Sequence, residues 1–403
     1  MKILHTSDWH IGQKFMGKSR EEEHKAFLSW LYKIIKKENI DVLIVAGDIF
    51  DTGNPPNYAL ELYYNFLKEL FSIKNLYVII TAGNHDSIST LKASKQLLEY
   101  MNIYVITSGE ANENELIPIY KEDKLQGVVC AVPFLRDSVV RHSVSGQTIN
   151  EKESSLNAGI KQHYIDVYEE ANTLITNLTS KDNIPIIATG HLTTVGSRTS
   201  ESERDIYIGG TLDIGSDFLG KYFDYVALGH LHINQSVGCN HVRYSGSPIP
   251  LSFSEANQRK RVNIVEFSNA EDKTKMEVKE IQIPQHRKLQ VLKGNLQTVK
   301  DELKQIVDKT TWCEIHLNDE NPMFANQALR EYAEELELII LAIKIDKSEK
   351  KLEAKELKVT SLDELKPEDV FKRRLEIEKL EDKEFCDELT LNFKQVVEKV
   401  SVL

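Results

Sequence analysis

The sequence predicts an α/β fold: a two-sheet α/β sandwich core, then a small α+β domain, then a helical C-terminal tail. Three observations lead there. Apolar runs ending in Gly plus an acid, amide or imidazole recur from Ile3 to His232, with amphipathic helical patterns between the early ones. Further strand-like runs follow as far as Ile283. After Pro284 the pattern changes twice, to a short motif-free unit and then to a highly charged segment. Apolar runs that stop at polar residues are how an α/β sheet presents side chains at the carboxyl edge of its strands.

The elements follow in order. Glu21 to Lys37 reads as an amphipathic helix, with Phe27, Leu31, Ile34 and Ile35 on one side. Tyr58 to Phe71 is a second, with Leu62, Phe66 and Leu70 at four-residue spacing. Leu116 to Pro133 holds two strands, and Lys161 to Leu178 is a helix. Strands return at Val242–Tyr244, Val262–Phe267 and Met276–Ile283, which favours a two-sheet core with helices outside it. Residues 1–284 form this first domain. Residues 285–345 read as βαβαβ: strands Lys288–Leu292, Trp312–Leu317 and Leu338–Ile345, helices Leu296–Val307 and Asn326–Leu336. Residues 346–403 form the tail. From 347 onward it holds 13 basic and 15 acidic side chains, too charged to build a core alone. Its apolar stripe of Phe385, Leu389, Phe393, Val396 and Val400 has helical spacing and fits docking on a partner.

Five motifs carry the chemistry: Asp8-Trp9-His10, Gly47-Asp48, Gly83-Asn84-His85-Asp86, Gly190-His191 and Gly229-His230-Leu231-His232. Singly, each could be a turn or a cap. Together, in this order and each after a strand-like run, they read as the donor set of a two-metal phosphoesterase. Two divalent ions roughly 3.5–4 Å apart can grip a phosphate oxygen, activate water and stabilise an in-line displacement. A bridging carboxylate must hold the ions that close, and Asp48 is the candidate. Asp8, His10 and His232 would complete one site; Asn84, His191 and His230 would complete the other. Oxygen and imidazole donors without thiolate favour Mn, Fe or Zn over Mg or Ca. His85 is not counted as a ligand. It could act as general acid for the leaving oxygen or as a donor to developing charge. The other seven histidines (His5, His24, His142, His163, His241, His286, His316) read as surface or core residues. Val195 to Phe223, with Glu201, Glu203, Arg204 and Asp205, is either a loop over the metals or a solvated connector.

Composition bounds the class. The chain has 403 residues, 41% hydrophobic and 28% charged, which are globular values. Cys130, Cys239, Cys313 and Cys386 show no paired spacing, which favours reduced thiols and argues against a zinc knuckle. With no signal-peptide pattern and no apolar stretch near the roughly 20 residues of a membrane span, a cytoplasmic location is expected. The net charge of −12 offers little overall attraction to a polyanion, so a local patch or basic partner must supply it.

The motif order resembles the calcineurin-like metallophosphoesterases and, within them, the SbcD family of nuclease subunits. His5 to His10, Gly47 to Gly53, Gly83 to Asp86, Tyr225 to His232 and Tyr244-Ser245-Gly246-Ser247-Pro248 carry the likeness. It is strong over roughly the first 285 residues and one of layout beyond them. The resemblance implies a Mn²⁺-dependent DNA nuclease, a double-strand 3′–5′ exonuclease and single-strand or hairpin endonuclease. It implies a homodimer within a heterotetramer with an SbcC-type ATPase, whose coiled coil gates DNA access. Residues 285–345 would be a DNA-contacting capping domain, and the tail would bind SbcC. The resemblance also implies that any ATP dependence comes from the SbcC-type partner. Archaeal and eukaryotic relatives carry a further His shortly after Gly-Asp. Asp51 and Thr52 stand there in this chain, so no catalytic role is transferred to them. Two rival readings are a small-substrate phosphatase or phosphodiesterase on the same core, and a metal-free binding scaffold.

Overall fold

The computed structural model describes residues 1–110, 113–140, 149–179, 183–203, 206, 214–270, 273–345, 389 and 393. Strand β1 (Lys2–Thr6) is followed by a small hairpin, β2 (Lys14–Phe15) and β3 (Lys18–Ser19). Then α1 (Glu21–Glu38), β4 (Val42–Ala46), α2 (Asn57–Phe71) and β5 (Tyr77–Thr81) alternate. Short helices α3 (Ile88–Lys92) and α4 (Lys95–Glu99) lead to β6 (Ile103–Ile106). Next come β7 (Leu116–Lys121), β8 (Lys124–Cys130), α5 (Asp137–Val140) and α6 (Ile149–Leu178). After β9 (Ile186–His191), α7 (Ser216–Tyr222) precedes β10 (Tyr225–Gly229), β11 (Gln235–Val237) and β12 (Cys239–Tyr244). A single 3₁₀ turn, Phe253–Glu255, leads to β13 (Arg261–Ala270) and β14 (Lys273–Gln282).

Two six-stranded sheets result, ordered β14-β13-β1-β4-β5-β6 and β11-β12-β10-β9-β8-β7. β1, β4, β5 and β6 are mutually parallel, as are β8, β9, β10 and β12. The sheets face each other through Ile3, Val42, Ile44, Ala46 and Ile79 on one side and Val129, Ala131, Ile187, Tyr225 and Ala227 on the other. The outer face of the first sheet packs on α1 and α2 through Leu4, Leu43 and Val45 against Phe27, Leu31 and Phe66. The second sheet is covered by α6 and α7, with Ile160, Tyr164 and Leu219 in the core. Burial on both faces explains why β4 is uninterruptedly apolar and every residue of it is buried. Parallel strands end at one edge, so the chain's polar motifs collect there.

Helix α6 starts at Ile149, twelve residues before the expected Lys161. Leu156, Ile160, Tyr164, Val167 and Ala171 form one buried stripe, so the same face is used from its early turns. The remaining elements are β15 (Leu289–Gly294), α8 (Leu296–Lys304), β16 (Trp312–Leu317), α9 (Pro322–Glu335) and β17 (Ile339–Ile345). The three strands are parallel in the order β15-β16-β17. Helix α9 begins four residues before the expected Asn326, because Asn321 caps it by accepting the Phe324 N–H and Pro322 occupies the first turn. This βαβαβ unit has its own buried cluster, including Leu292, Val299, Leu303, Ile315 and Leu329.

Met1–Asp346 is one compact unit and Lys347–Leu403 a second. Of the tail stripe, Leu389 and Phe393 are helical and half-buried; Phe385, Val396 and Val400 lie outside the described residues, as does Cys386. Among the described residues, no helix is long and apolar enough to cross a membrane.

Candidate metal centre

Each expected donor stands at or just past a strand end: Asp8 and His10 after β1, Asp48 after β4, Asn84 and His85 after β5. His191 is the last residue of β9, and His230 and His232 follow β10. The first two loops are tied by Asp8 N–H to Gly47 O at 3.0 Å and His10 N–H to Asp48 O at 3.0 Å. Asp8, His10, Asp48 and His230 all have positive φ, at 52°, 46°, 50° and 92°. A non-glycine residue held there costs about 1–3 kcal/mol, so the surrounding packing must enforce it. The motif glycines are steric requirements. A Cβ at Gly83 would lie 2.2 Å from Asp48 Oδ1, one at Gly229 would lie 1.8 Å from Ala46 O, and one at Gly47 would lie 2.1 Å from His191 Nδ1.

Two buried groups assemble: Asp8, His10 and His232, and Asp48, His191 and His230, each with donor atoms within 4.8 Å of one another. Asp48 Oδ2 lies between them, 3.6 Å from His10 Nε2 and 3.3 Å from His191 Nε2. Asn84 Oδ1 is 2.9 Å from His191 Nε2. Six of the seven expected donors thus fall in these two groups, and Asn84 adjoins the second through His191. Asp8 is braced by Ser7 Oγ at 2.5 Å and by the His230 N–H at 2.8 Å.

His85 sits at the rim, half-buried. Its N–H donates to Asp48 Oδ1 at 2.9 Å, and its ring is 4.9 Å from that of His10, edge to face. Its Nδ1 donates to Asp51 O at 2.8 Å, since a carbonyl can only accept. Its Nε2 is the ring nitrogen not engaged by that carbonyl.

Asp86, the last residue of its motif, is a brace. Its carboxylate accepts from the Ile49, Phe50 and Gly83 N–H groups at 2.9–3.1 Å, and burial pushes its pKa up to about 6.

The residues fit a pair of divalent cations. His10 is buried; its Nδ1 faces Asp51 Oδ1 at 3.3 Å, and its Nε2 makes no hydrogen bond among the described residues. Two buried carboxylates and four buried imidazoles meet there. Burial alone would raise the Asp48 carboxyl; the adjacent His191 outweighs it and holds Asp48 far below the usual range. Burial pushes His230 well down, and His191 adds to that, favouring the neutral ring a metal needs.

Sequence reading gave Asp51 no role, did not name Ser202, and left Glu203 in a stretch read either as a loop over the metals or as a solvated connector. Asp51 Oδ1 lies 3.3 Å from His10 Nδ1, and Asp51, His10 and His85 form a third close group. Ser202 Oγ lies 2.5 Å from His232 Nδ1, and Glu203 accepts the His232 N–H at 2.7 Å. The described part of the Val195–Phe223 stretch therefore reaches the candidate ligands; Arg204 and Asp205 lie outside the described residues. No spacing rule marks these residues, because each reaches its histidine only through the packing of distant loops. His5 and His24 are core histidines: His5 bridges Tyr225 Oη and Leu228 O, and His24 Nε2 meets Trp9 O. Burial lowers both to about 3.

Comparison with known proteins agrees with this geometry. Residues 1–234 match the family model described as calcineurin-like phosphoesterase. Residues 285–379 match the type 5 capsule protein repressor C-terminal domain. The SbcD subunit of the SbcCD nuclease of Escherichia coli K12 is 39% identical over 392 residues, covering 95% of this chain and 94% of the relative. The Bacillus subtilis protein of that name is 36% identical over 282 residues, 69% of each chain. The Rhodobacter capsulatus one is 35% identical over 280 residues, covering 66% of this chain and 67% of its own. On the dimetal motifs, the two-sheet fold and these relatives together, the chain belongs to the calcineurin-like phosphoesterases and, among them, to the SbcD nuclease subunits.

Proposed function

We propose that this chain is the Mn²⁺-dependent nuclease subunit of a DNA end-processing complex. It would hydrolyse phosphodiester bonds as a double-strand 3′–5′ exonuclease and as a single-strand and hairpin endonuclease. The observation that carries the reading is the convergence of six carboxylate and imidazole donors in two groups, with Asn84 adjoining the second through His191 and His85 at the rim. Asp8, His10, Asp48 and His232 would hold one ion, and Asp48, Asn84, His191 and His230 the other. When bound, the ions would supply a polarised phosphate and a water acidic enough to attack it at neutral pH. The chain's own residues do the rest. Asp48 would serve both ions, the His230 and His85 N–H groups hold Asp8 and Asp48 in place, and His85 Nε2 would give a proton or a hydrogen bond to the departing oxygen.

The relatives carry the name of the SbcCD nuclease, which supports an SbcC-type ATPase as partner. We assign 1–284 as the nuclease domain, 285–345 as a DNA-contacting capping domain and 346–403 as the SbcC-binding tail. A homodimer within a cytoplasmic heterotetramer completes the proposal. The test is cleavage of an end-labelled DNA hairpin with and without Mn²⁺, with the partner ATPase present and His85→Ala as control. Metal-dependent cutting lost in His85→Ala is expected. Hydrolysis of small phosphodiesters without any DNA cleavage would sink the nuclease assignment and favour a small-substrate enzyme.

A further inference from the structure

Behind His232, on the side away from Asp8 and His10, lies a buried polar chain that the proposed reaction does not use. The His232 ring meets Ser202 Oγ through Nδ1 at 2.5 Å, and Ser202 in turn makes a short hydrogen bond to Glu255. Glu255 is fully buried and also accepts from Lys260 Nζ at 2.5 Å, Ser200 Oγ at 3.0 Å and the Leu251 N–H at 3.2 Å. Lys260 is itself buried. It donates to the His232 carbonyl at 3.0 Å and to Ser247 Oγ at 2.9 Å. Glu203 takes the His232 N–H at 2.7 Å. The ring, the N–H and the carbonyl of one histidine are thus all held by this cluster.

Proton order follows from donor chemistry. A carboxylate paired with a buried ammonium accepts only, so the Ser202 hydroxyl gives its proton to Glu255. Its oxygen lone pair is then available to the ring, and His232 Nδ1 must be the N–H. The Nε2 lone pair is left facing Asp8 and His10. A histidine that ligates a metal through one nitrogen needs the other held in this way.

We infer that Glu255 is a positioning residue for the metal centre, acting through Ser202 to fix the tautomer and orientation of His232, with Lys260 holding Glu255 charged. The inference rests on the reading of His232 as a metal ligand. The turn that carries Glu255 also seats the βαβαβ unit. Phe253, two residues earlier, packs with Phe15, Leu289 and Trp312, its ring 5.1 Å from that of Phe15. The grip on His232 and the seat of the small unit are therefore built on one three-residue turn.

The test is Mn²⁺ titration of the full-length protein by calorimetry, with Ser202→Ala, Ser202→Thr, Glu255→Gln and the Ser202→Ala/Glu255→Gln double variant. Ser202→Ala is expected to weaken one of two Mn²⁺ sites by roughly 10–100-fold, with the thermal midpoint of the metal-free protein unchanged. Ser202→Thr keeps the hydroxyl and should bind as wild type. The double variant should be no weaker than the worse single, because both changes break one chain. Wild-type affinity in Ser202→Ala, or additive losses in the double variant, would overturn the inference while two Mn²⁺ still bind. A wild-type protein that binds no Mn²⁺ would instead overturn the metal reading beneath it. Glu255→Gln strands the Lys260 charge; if that variant does not fold, Ser202→Ala against Ser202→Thr decides.

Discussion

Asp48 and His191 face each other at 3.3 Å in a buried site, and without a cation each is the other's counter-charge. Burial alone would lower the His191 pKa; the Asp48 carboxylate outweighs it and pushes His191 up to about 9. A raised histidine stabilises the fold fully below its unfolded value of 6.5, and that contribution is lost as pH rises through about 9. The thermal midpoint of the metal-free protein should therefore fall between pH 6.5 and 9. Mn²⁺ entry at pH 7 should release protons, measured as calorimetric heats that vary with buffer ionisation enthalpy. A flat midpoint together with buffer-independent heats would refute the account. Gly83 offers a steric test, since an alanine Cβ would lie 2.2 Å from Asp48 Oδ1. Gly83→Ala should destabilise the protein by about 1–3 kcal/mol and weaken Mn²⁺ binding, by urea unfolding and metal titration. The residues proposed as donors, and His85, stand out in the sequence because each follows an apolar run and strand ends are local. Ser202 and Glu255 were not. Ser202 is 30 residues from His232 and 53 from Glu255, and only the folded sheets bring them together.

Between β6 and β7 the chain is clasped by one carboxylate. Glu113 accepts from the Thr107 and Ser108 N–H groups at 3.0 and 2.7 Å and from Lys95 Nζ at 2.7 Å. Burial would raise its pKa; Lys95 and the two N–H groups outweigh that and hold it at about 2. A depressed carboxyl stabilises the fold fully above its unfolded value, 4.5, and the contribution fades as pH falls through about 2. Glu113→Gln should therefore lower the thermal midpoint at pH 7 and narrow its gap from wild type as the pH approaches 2. A gap that stays constant over that range would show that the charge is not what holds the clasp. Helix starts show the limits of pattern reading at this scale. The buried stripe of α6 runs from Leu156, so the helix begins well before the expected Lys161, whereas α8 begins where Asn295 caps it by accepting the Thr298 N–H at 2.9 Å.

At the scale of the whole unit, the βαβαβ layer meets the sheet sandwich across a charged and aromatic seam. Arg20 is completely buried, forked onto Glu23 at 2.7 and 2.5 Å, and donates to Pro250 O at 2.7 Å. Its guanidinium lies 5.1 Å from the Phe15 ring centre and 5.7 Å from that of Trp312 in β16. From the other side Arg287 reaches Glu23 at 3.3 Å and covers Trp312 at 4.4 Å. One carboxylate on α1 therefore answers two guanidinium groups, one of them with no contact with water. Removing that carboxylate is worse than removing the pair, because an isolated buried charge keeps its desolvation penalty and loses its compensation. Glu23→Gln should destabilise the protein by about 3–5 kcal/mol. Arg20→Met with Glu23→Leu should recover much of the loss, since Arg287 keeps Trp312 and the Thr310 carbonyl at 2.7 Å. Urea unfolding followed by Trp fluorescence reads both, with Trp312 reporting from the seam itself. A Glu23→Gln variant within about 0.5 kcal/mol of wild type would mean that the aromatic packing alone holds the two layers together. The ion pair would then be incidental to their union.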